Sequence, residues 1–133
     1  MKWIVCFAPH SNRGIWRLFT FWRPKYQHVF AVRYDLSVLS WIYVECSSKR
    51  MNFDLYKDDK ATHLIDYLIN ECECIEIEVK DSLVYFPTIL YCVSFVKHLL
   101  GIRNMFLLTP YQLRCELIKQ GGSAIFTKNT GEI

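Results

Sequence analysis

Two strand-like runs, separated by only a few residues, constrain this chain more than any other feature. Gln27 to Tyr34 reads Gln-His-Val-Phe-Ala-Val-Arg-Tyr, and Leu39 to Cys46 reads Leu-Ser-Trp-Ile-Tyr-Val-Glu-Cys. Both are dense in β-branched and aromatic residues, and side chains along a strand alternate between faces. The first run therefore sets His28, Phe30, Val32 and Tyr34 against Val29, Ala31 and Arg33, and the second sets Trp41, Tyr43 and Glu45 against Ile42, Val44 and Cys46. A turn at Asp35 to Ser37 joins them as an antiparallel hairpin, because so short a connection leaves no room for the crossover that parallel strands need.

The rest of the chain fits an α+β domain around that hairpin. Trp3 to Ala8 is a buried strand stopped by Pro9, residues 10–25 are loop-rich, and Met51 to Leu55 extends the meander. After the charged run Lys57-Asp58-Asp59-Lys60, Leu64, Ile65, Leu68 and Ile69 recur at helical spacing, with Asp59 or Thr62 as cap, for about three turns. Cys74 to Val79 alternates isoleucine and valine with charge, which marks a half-exposed strand, and Pro87 then breaks the chain. From Ile89 the pattern turns helical, with Val93, Val96 and Leu100 together, Lys97 and His98 placed to complement the dipole, and Gly101 as terminator. Thr109-Pro110 opens a last helix with an apolar stripe of Leu113, Leu117 and Ile118, and Gly121-Gly122 stops it. The tail carries one short apolar patch, Ala124 to Phe126. The expected architecture is an antiparallel sheet or small barrel packed against a Cys92-bearing helix and two further helices. At 133 residues and 52% hydrophobic content, one domain over 1–133 accounts for the whole.

Charge and cysteine usage narrow the partners. The net charge is +3, and the first 25 residues hold Lys2, Arg13, Arg17, Arg23 and Lys25 without an acid, interleaved with Trp16 and Trp22 and followed by Tyr26. Such a face suits phosphate contacts with base stacking or an anionic membrane surface. Basic residues around core aromatics are the plainer explanation, and no nucleic-acid partner is expected. The six cysteines show no disulfide framework, so Cys6 and Cys46 read as small apolar strand residues and the compartment as reducing. A single Cys-x-Cys at Cys72 and Cys74 offers two ligands where structural zinc wants four, so no metal is expected, and without a Gly-rich phosphate loop no cofactor is expected either. The opening Met-Lys-Trp-Ile-Val-Cys-Phe-Ala-Pro-His is too short in apolar residues for an export signal, and no run approaches the ~18 needed to span a bilayer. A cytoplasmic location is expected.

Cys92 is the residue with the most chemistry in prospect. It stands in the first or second turn of its helix, where unpaired backbone N–H groups and the positive end of the dipole favour a thiolate and could form half of an oxyanion hole. His28 could take the thiol proton or pair with the thiolate as imidazolium, and Glu45 could orient the ring. Phe30, Trp41 and Tyr43 would wall the site. A Cys on an apolar helix is more often plain core, and a His on a strand more often an ordinary polar residue. Among other bases, His98 lies six residues along the same helix and well around its axis, His63 reads as a surface residue, and spacing does not exclude His10.

The order His-Val-Phe-Ala-Val, Trp-Ile-Tyr-Val-Glu, Tyr-Cys-Val-Ser-Phe-Val-Lys resembles the circularly permuted papain-like proteins of the NlpC superfamily, which include relatives of lecithin retinol acyltransferase. In that group the His strand precedes the Cys helix. The resemblance covers about residues 26–118, counting Leu-Thr-Pro-Tyr-Gln-Leu at 108–113, which is similar to a segment of phage-encoded relatives. It implies a permuted papain-like fold, Cys92 as nucleophile, His28 as base and Glu45 as third member, with Ser40 the alternative for that place. Phe30 stands where the family has a small residue, which sets a bulky ring beside the cleft. The function implied is a cysteine peptidase, amidase or acyl-bond hydrolase acting on a peptide, peptidoglycan or acyl substrate through an acyl-enzyme. The competing reading is a catalytically inactive module of the same fold, in a virion or bound to a phage or host protein.

Overall fold

A computed structural model describes residues 1–9, 26–46, 51–79, 92–104 and 106–126. Arg13, Trp16, Arg17, Trp22, Arg23 and Lys25 of the basic segment, His10, the Pro87 break, the Ile89 helix start and the far tail lie outside them. The described elements are β1 (Lys2–Ala8), β2 (His28–Asp35), β3 (Ser40–Cys46), β4 (Met51–Tyr56), α1 (Asp58–Glu71), β5 (Glu73–Glu78), α2 (Cys92–Leu100), α3 (Pro110–Lys119) and β6 (Ser123–Phe126). They form an α+β structure with a six-stranded sheet in the order β4-β3-β2-β1-β5-β6, antiparallel at every pairing. Of the two forms expected, these strands make the open sheet, with β4 and β6 at its edges.

Both faces of the sheet are covered, which explains why β1 reads as an unbroken apolar run. Trp3, Val5 and Phe7 point to one face with Val29, Ala31, Val44 and Ile75, where they meet Val93, Val96 and Leu100 of α2 and Leu113 and Leu117 of α3. Cys6, Ala8, Phe30, Val32 and Cys74 point to the other, under Leu64 and Leu68 of α1. Leu68 is fully buried there, worth about 2–3 kcal/mol of transfer free energy.

The helices keep the expected order, with differences at their ends. α1 begins before either expected cap: its N-cap is Lys57, with no side-chain cap bond, and Asp58 and Asp59 sit in the first turn where their charge suits the dipole. Its apolar stripe is narrower than read, because Ile69 is exposed. α2 ends at Gly101, whose positive φ of 72° lets Ile102 N–H reach back to Lys97 O at 2.9 Å. Lys97 is not a solvent-facing dipole partner: it is buried, and its Nζ donates to Leu107 O at 3.0 Å, tying the following loop to the helix. α3 starts on a complete capping box between Thr109 and Gln112, with Pro110 in the first turn, and Ile118 lies outside its buried stripe. The apolar patch of the tail is part of a sixth strand, paired with β5 through an irregularity at Cys74/Ile75.

The two described residues of the basic and aromatic segment face acids. Lys2 Nζ lies 3.6 Å from Glu76, and the Tyr26 hydroxyl donates to Glu73, which also accepts from Arg114 of α3 at 2.7 Å. Among the described residues no helix is long and apolar enough to cross a membrane.

Candidate active site

The hairpin sets the distance between His28 and Glu45. Its turn covers residues 36–39 rather than 35–37: Asp35 Oδ1 accepts from Ser37 N–H and hydroxyl at 2.8 and 2.5 Å, and Leu39 takes the left-handed conformation at φ 49°. The resulting register pairs Asp35 with Ser40 and Ala31 with Val44. One step further brings Glu45 level with Phe30, diagonal to His28 and on the same face. His28 Nε2 and Glu45 Oε1 are 2.6 Å apart, and the side chains are only 12% and 21% exposed.

Each group of the pair holds the other charged. Glu45 is drawn down to about 2, first by the hydrogen bond from His28, against the opposing effect of burial, with help from His28's charge and from Tyr43 and Asn52. For His28 the largest single influence is burial, which disfavours the imidazolium. Hydrogen bonds with the Cys92 thiol and the Glu45 carboxylate, together with their charges, outweigh it and raise the ring to about 9. With Nε2 committed to Glu45, Nδ1 is the nitrogen left for sulfur.

Cys92 is the first described residue of α2. No acidic residue stands among the described residues of α2, and Lys97 and His98 lie in its last turn, where they suit the negative end of the dipole. Cys92 packs with the core on the α2 face, whereas His28, the first residue of β2, alternates to the α1 face, and the thiol still acts on the ring by raising its pKa. Cys92 is 2% exposed.

The remaining candidates separate clearly. Ser40 sits at the far end of β3, and its hydroxyl donates to Val38 O at 2.9 Å, so Glu45 rather than Ser40 engages His28. His63 is on the exposed side of α1, and His98, in the last turn of α2, is about 9 Å along the axis from Cys92. All six cysteines are free thiols. Burial pushes Cys6 well up and Cys72 up to about 12, which keeps both neutral. Among the described residues no group of His, Cys, Asp and Glu could hold a metal ion.

Phe30 stands beside the His28 ring. It is 1% exposed and lies in the α1-side core, its ring stacked on His28 at 6.2 Å and packed against Tyr43 at 5.0 Å. Trp41 is displaced from the site and packs edge-on to Tyr34 at 5.4 Å. Two residues contribute beyond those singled out as chemical groups in the sequence. Glu45 Oε2 accepts from the Tyr43 hydroxyl at 2.9 Å and from Asn52 Nδ2 at 3.4 Å. Tyr43 is two residues before Glu45 and so on its face, a signal open to alternation; Asn52 is its cross-strand partner on β4, visible only once that register is known. A groove of about 420 Å³ opens beside them, lined by Tyr43, Glu45, Met51, Asn52, Phe53, Asp54 and Tyr56.

No family model, curated protein or solved structure matches this chain.

Proposed function

We propose that the chain is a cysteine hydrolase of the permuted papain-like kind, cleaving an amide, peptide or ester-type acyl bond with Cys92, His28 and Glu45. The observation that carries this reading is the His28 imidazole bonded to the Glu45 carboxylate at 2.6 Å, with the Cys92 thiol of α2 also raising its pKa. Chain order, hairpin first and Cys helix after, agrees with the resemblance noted in the sequence.

The chemistry follows from those positions. With the proton drawn from Cys92 already on His28 as imidazolium, the sulfur attacks the substrate carbonyl carbon while the carbonyl electrons move onto oxygen. Backbone N–H groups at the start of α2, Cys92's own among them, donate to that oxyanion. Collapse of the tetrahedral intermediate expels the leaving amine or alcohol, which receives the proton from His28, and leaves a thioester on Cys92. Water then loses a proton to His28, attacks the thioester, and releases the acid and the thiol. Glu45 stays ionised throughout and holds the ring. The substrate classes that the resemblance suggests are peptides, peptidoglycan peptides and lipid acyl groups.

The burial of Cys92 at 2% favours a second reading, a binding module that retains the constellation without turnover. Alkylation with iodoacetamide across pH, mapped by mass spectrometry, separates the two. Cys115 is exposed and serves as the internal standard. Under the hydrolase reading Cys92 labels ahead of Cys115 at about pH 6, and His28→Ala abolishes the preference. Inertness of Cys92 while Cys115 labels would sink the hydrolase.

A further inference from the structure

A carboxylate that accepts through one oxygen only is free to swing about its last torsion, which is broad and roughly two-fold. Glu45 is not in that situation. Oε1 meets His28 Nε2 at 2.6 Å, and Oε2 is held from the opposite side by the Tyr43 hydroxyl at 2.9 Å, with Asn52 Nδ2 further off at 3.4 Å. The phenol is itself fixed: its ring packs on Phe30 at 5.0 Å and edge-on to Tyr56 at 5.5 Å, and Phe30 in turn lies against the His28 ring.

We propose that Tyr43 is a positioning residue of the Cys92–His28–Glu45 site, its hydroxyl locking the Glu45 carboxylate so that the imidazole presents its other nitrogen to the thiol. The inference rests on the hydrolase reading of that site. Burial and the neighbouring Glu45 charge raise the Tyr43 phenol far above its ordinary range, so it remains a donor at any pH at which the chain would work. The path is continuous: Tyr43 fixes Glu45, Glu45 fixes His28, and His28 meets Cys92. Asn52 shares the same oxygen from across the strand pair, at a longer distance, and contributes less.

The test is the rate of Cys92 alkylation by iodoacetamide as a function of pH in wild type, Tyr43→Phe, Glu45→Gln and the double variant. Tyr43→Phe keeps the ring and its packing and removes only the hydroxyl. The expected result is a roughly tenfold slower reaction at about pH 6, the scale of one lost hydrogen bond to a charged acceptor, with the alkaline limb of the profile moved to lower pH. If Tyr43 acts through Glu45, Tyr43→Phe adds nothing further in the Glu45→Gln background, whereas a merely structural role would slow both backgrounds equally. A Tyr43→Phe profile that superimposes on wild type, or equal slowing in both backgrounds, overturns the role of Tyr43 and leaves the triad intact. A wild-type Cys92 that reacts no faster than Cys115, unaffected by His28→Ala, overturns the triad and this inference with it.

Discussion

Removing both partners of His28 should invert the sign of its perturbation. The ring is 12% exposed and titrates at about 9 against an ordinary 6.5, a preference for the imidazolium on the order of 3 kcal/mol. That is a net figure. Burial is the largest single influence and pulls the other way, so Cys92 and Glu45 together supply more than the net shift. In Cys92→Ala/Glu45→Gln only the desolvation remains, and His28 should titrate below 6.5. Each single variant should fall between the extremes. Carbon-13-labelled histidine, followed by NMR across pH, reads all four rings, and single substitutions assign them. A double variant with His28 at or above 6.5, or a wild type with His28 near 6.5, would refute the claim that a buried ring is held charged by these two groups.

The same pair should leave a mark on stability against pH. His28, raised to about 9, stabilises fully below 6.5 and loses that contribution as pH rises through 9; Glu45, lowered to about 2, stabilises fully above 4.5 and loses it as pH falls through 2. Urea midpoints should therefore be highest from this pair between 4.5 and 6.5, and His28→Gln should remove the alkaline decline. Thr109→Ala should cost about 1 kcal/mol in urea unfolding through loss of the capping box, with Thr109→Ser recovering most of it. Gly122→Ala should cost about 1–3 kcal/mol, since its Cβ would stand 2.7 Å from Ile75 Cγ2 and 2.8 Å from the Leu117 carbonyl oxygen; a thermal midpoint equal to wild type would contradict this.

What was legible in the sequence tracks how local each interaction is. His28 and Glu45 belong to one hairpin, so alternation and a short turn are enough to set them on one face, and their bond required no knowledge of the rest of the fold. Gly101 and the Thr109-Pro110 pair acted through their own backbone, and those helix ends came out as read. Misread features depended on partners distant in the chain. Lys97 looks like a dipole partner until Leu107 O is known to sit over it. β6 is four residues long, too short for any period to declare itself, and owes its conformation to β5. The start of α1 escaped because it carries no side-chain cap, the feature on which a cap-based reading depends.

Thiol content does not single out Cys92; placement does. Five of the six cysteines are buried, and for Cys6 and Cys72 burial works directly against ionisation, so an apolar setting makes them inert packing atoms. Cys115 has exposure, but it stands on α3 and does not figure among the groups that act on His28. Cys92 is as buried as the inert ones, yet it is one of the two groups that keep charged an imidazole which burial alone would neutralise. A charged ring costs stability in such a place unless both partners are present, so the site is interdependent: the carboxylate without the thiol, or the thiol without the carboxylate, leaves a weaker claim on the proton. That interdependence requires the hairpin and α2 to pack together, as they do on one face of the sheet. The strand order delivers it, since β2 lies inside the sheet between β1 and β3, with α2 packed across the face behind it.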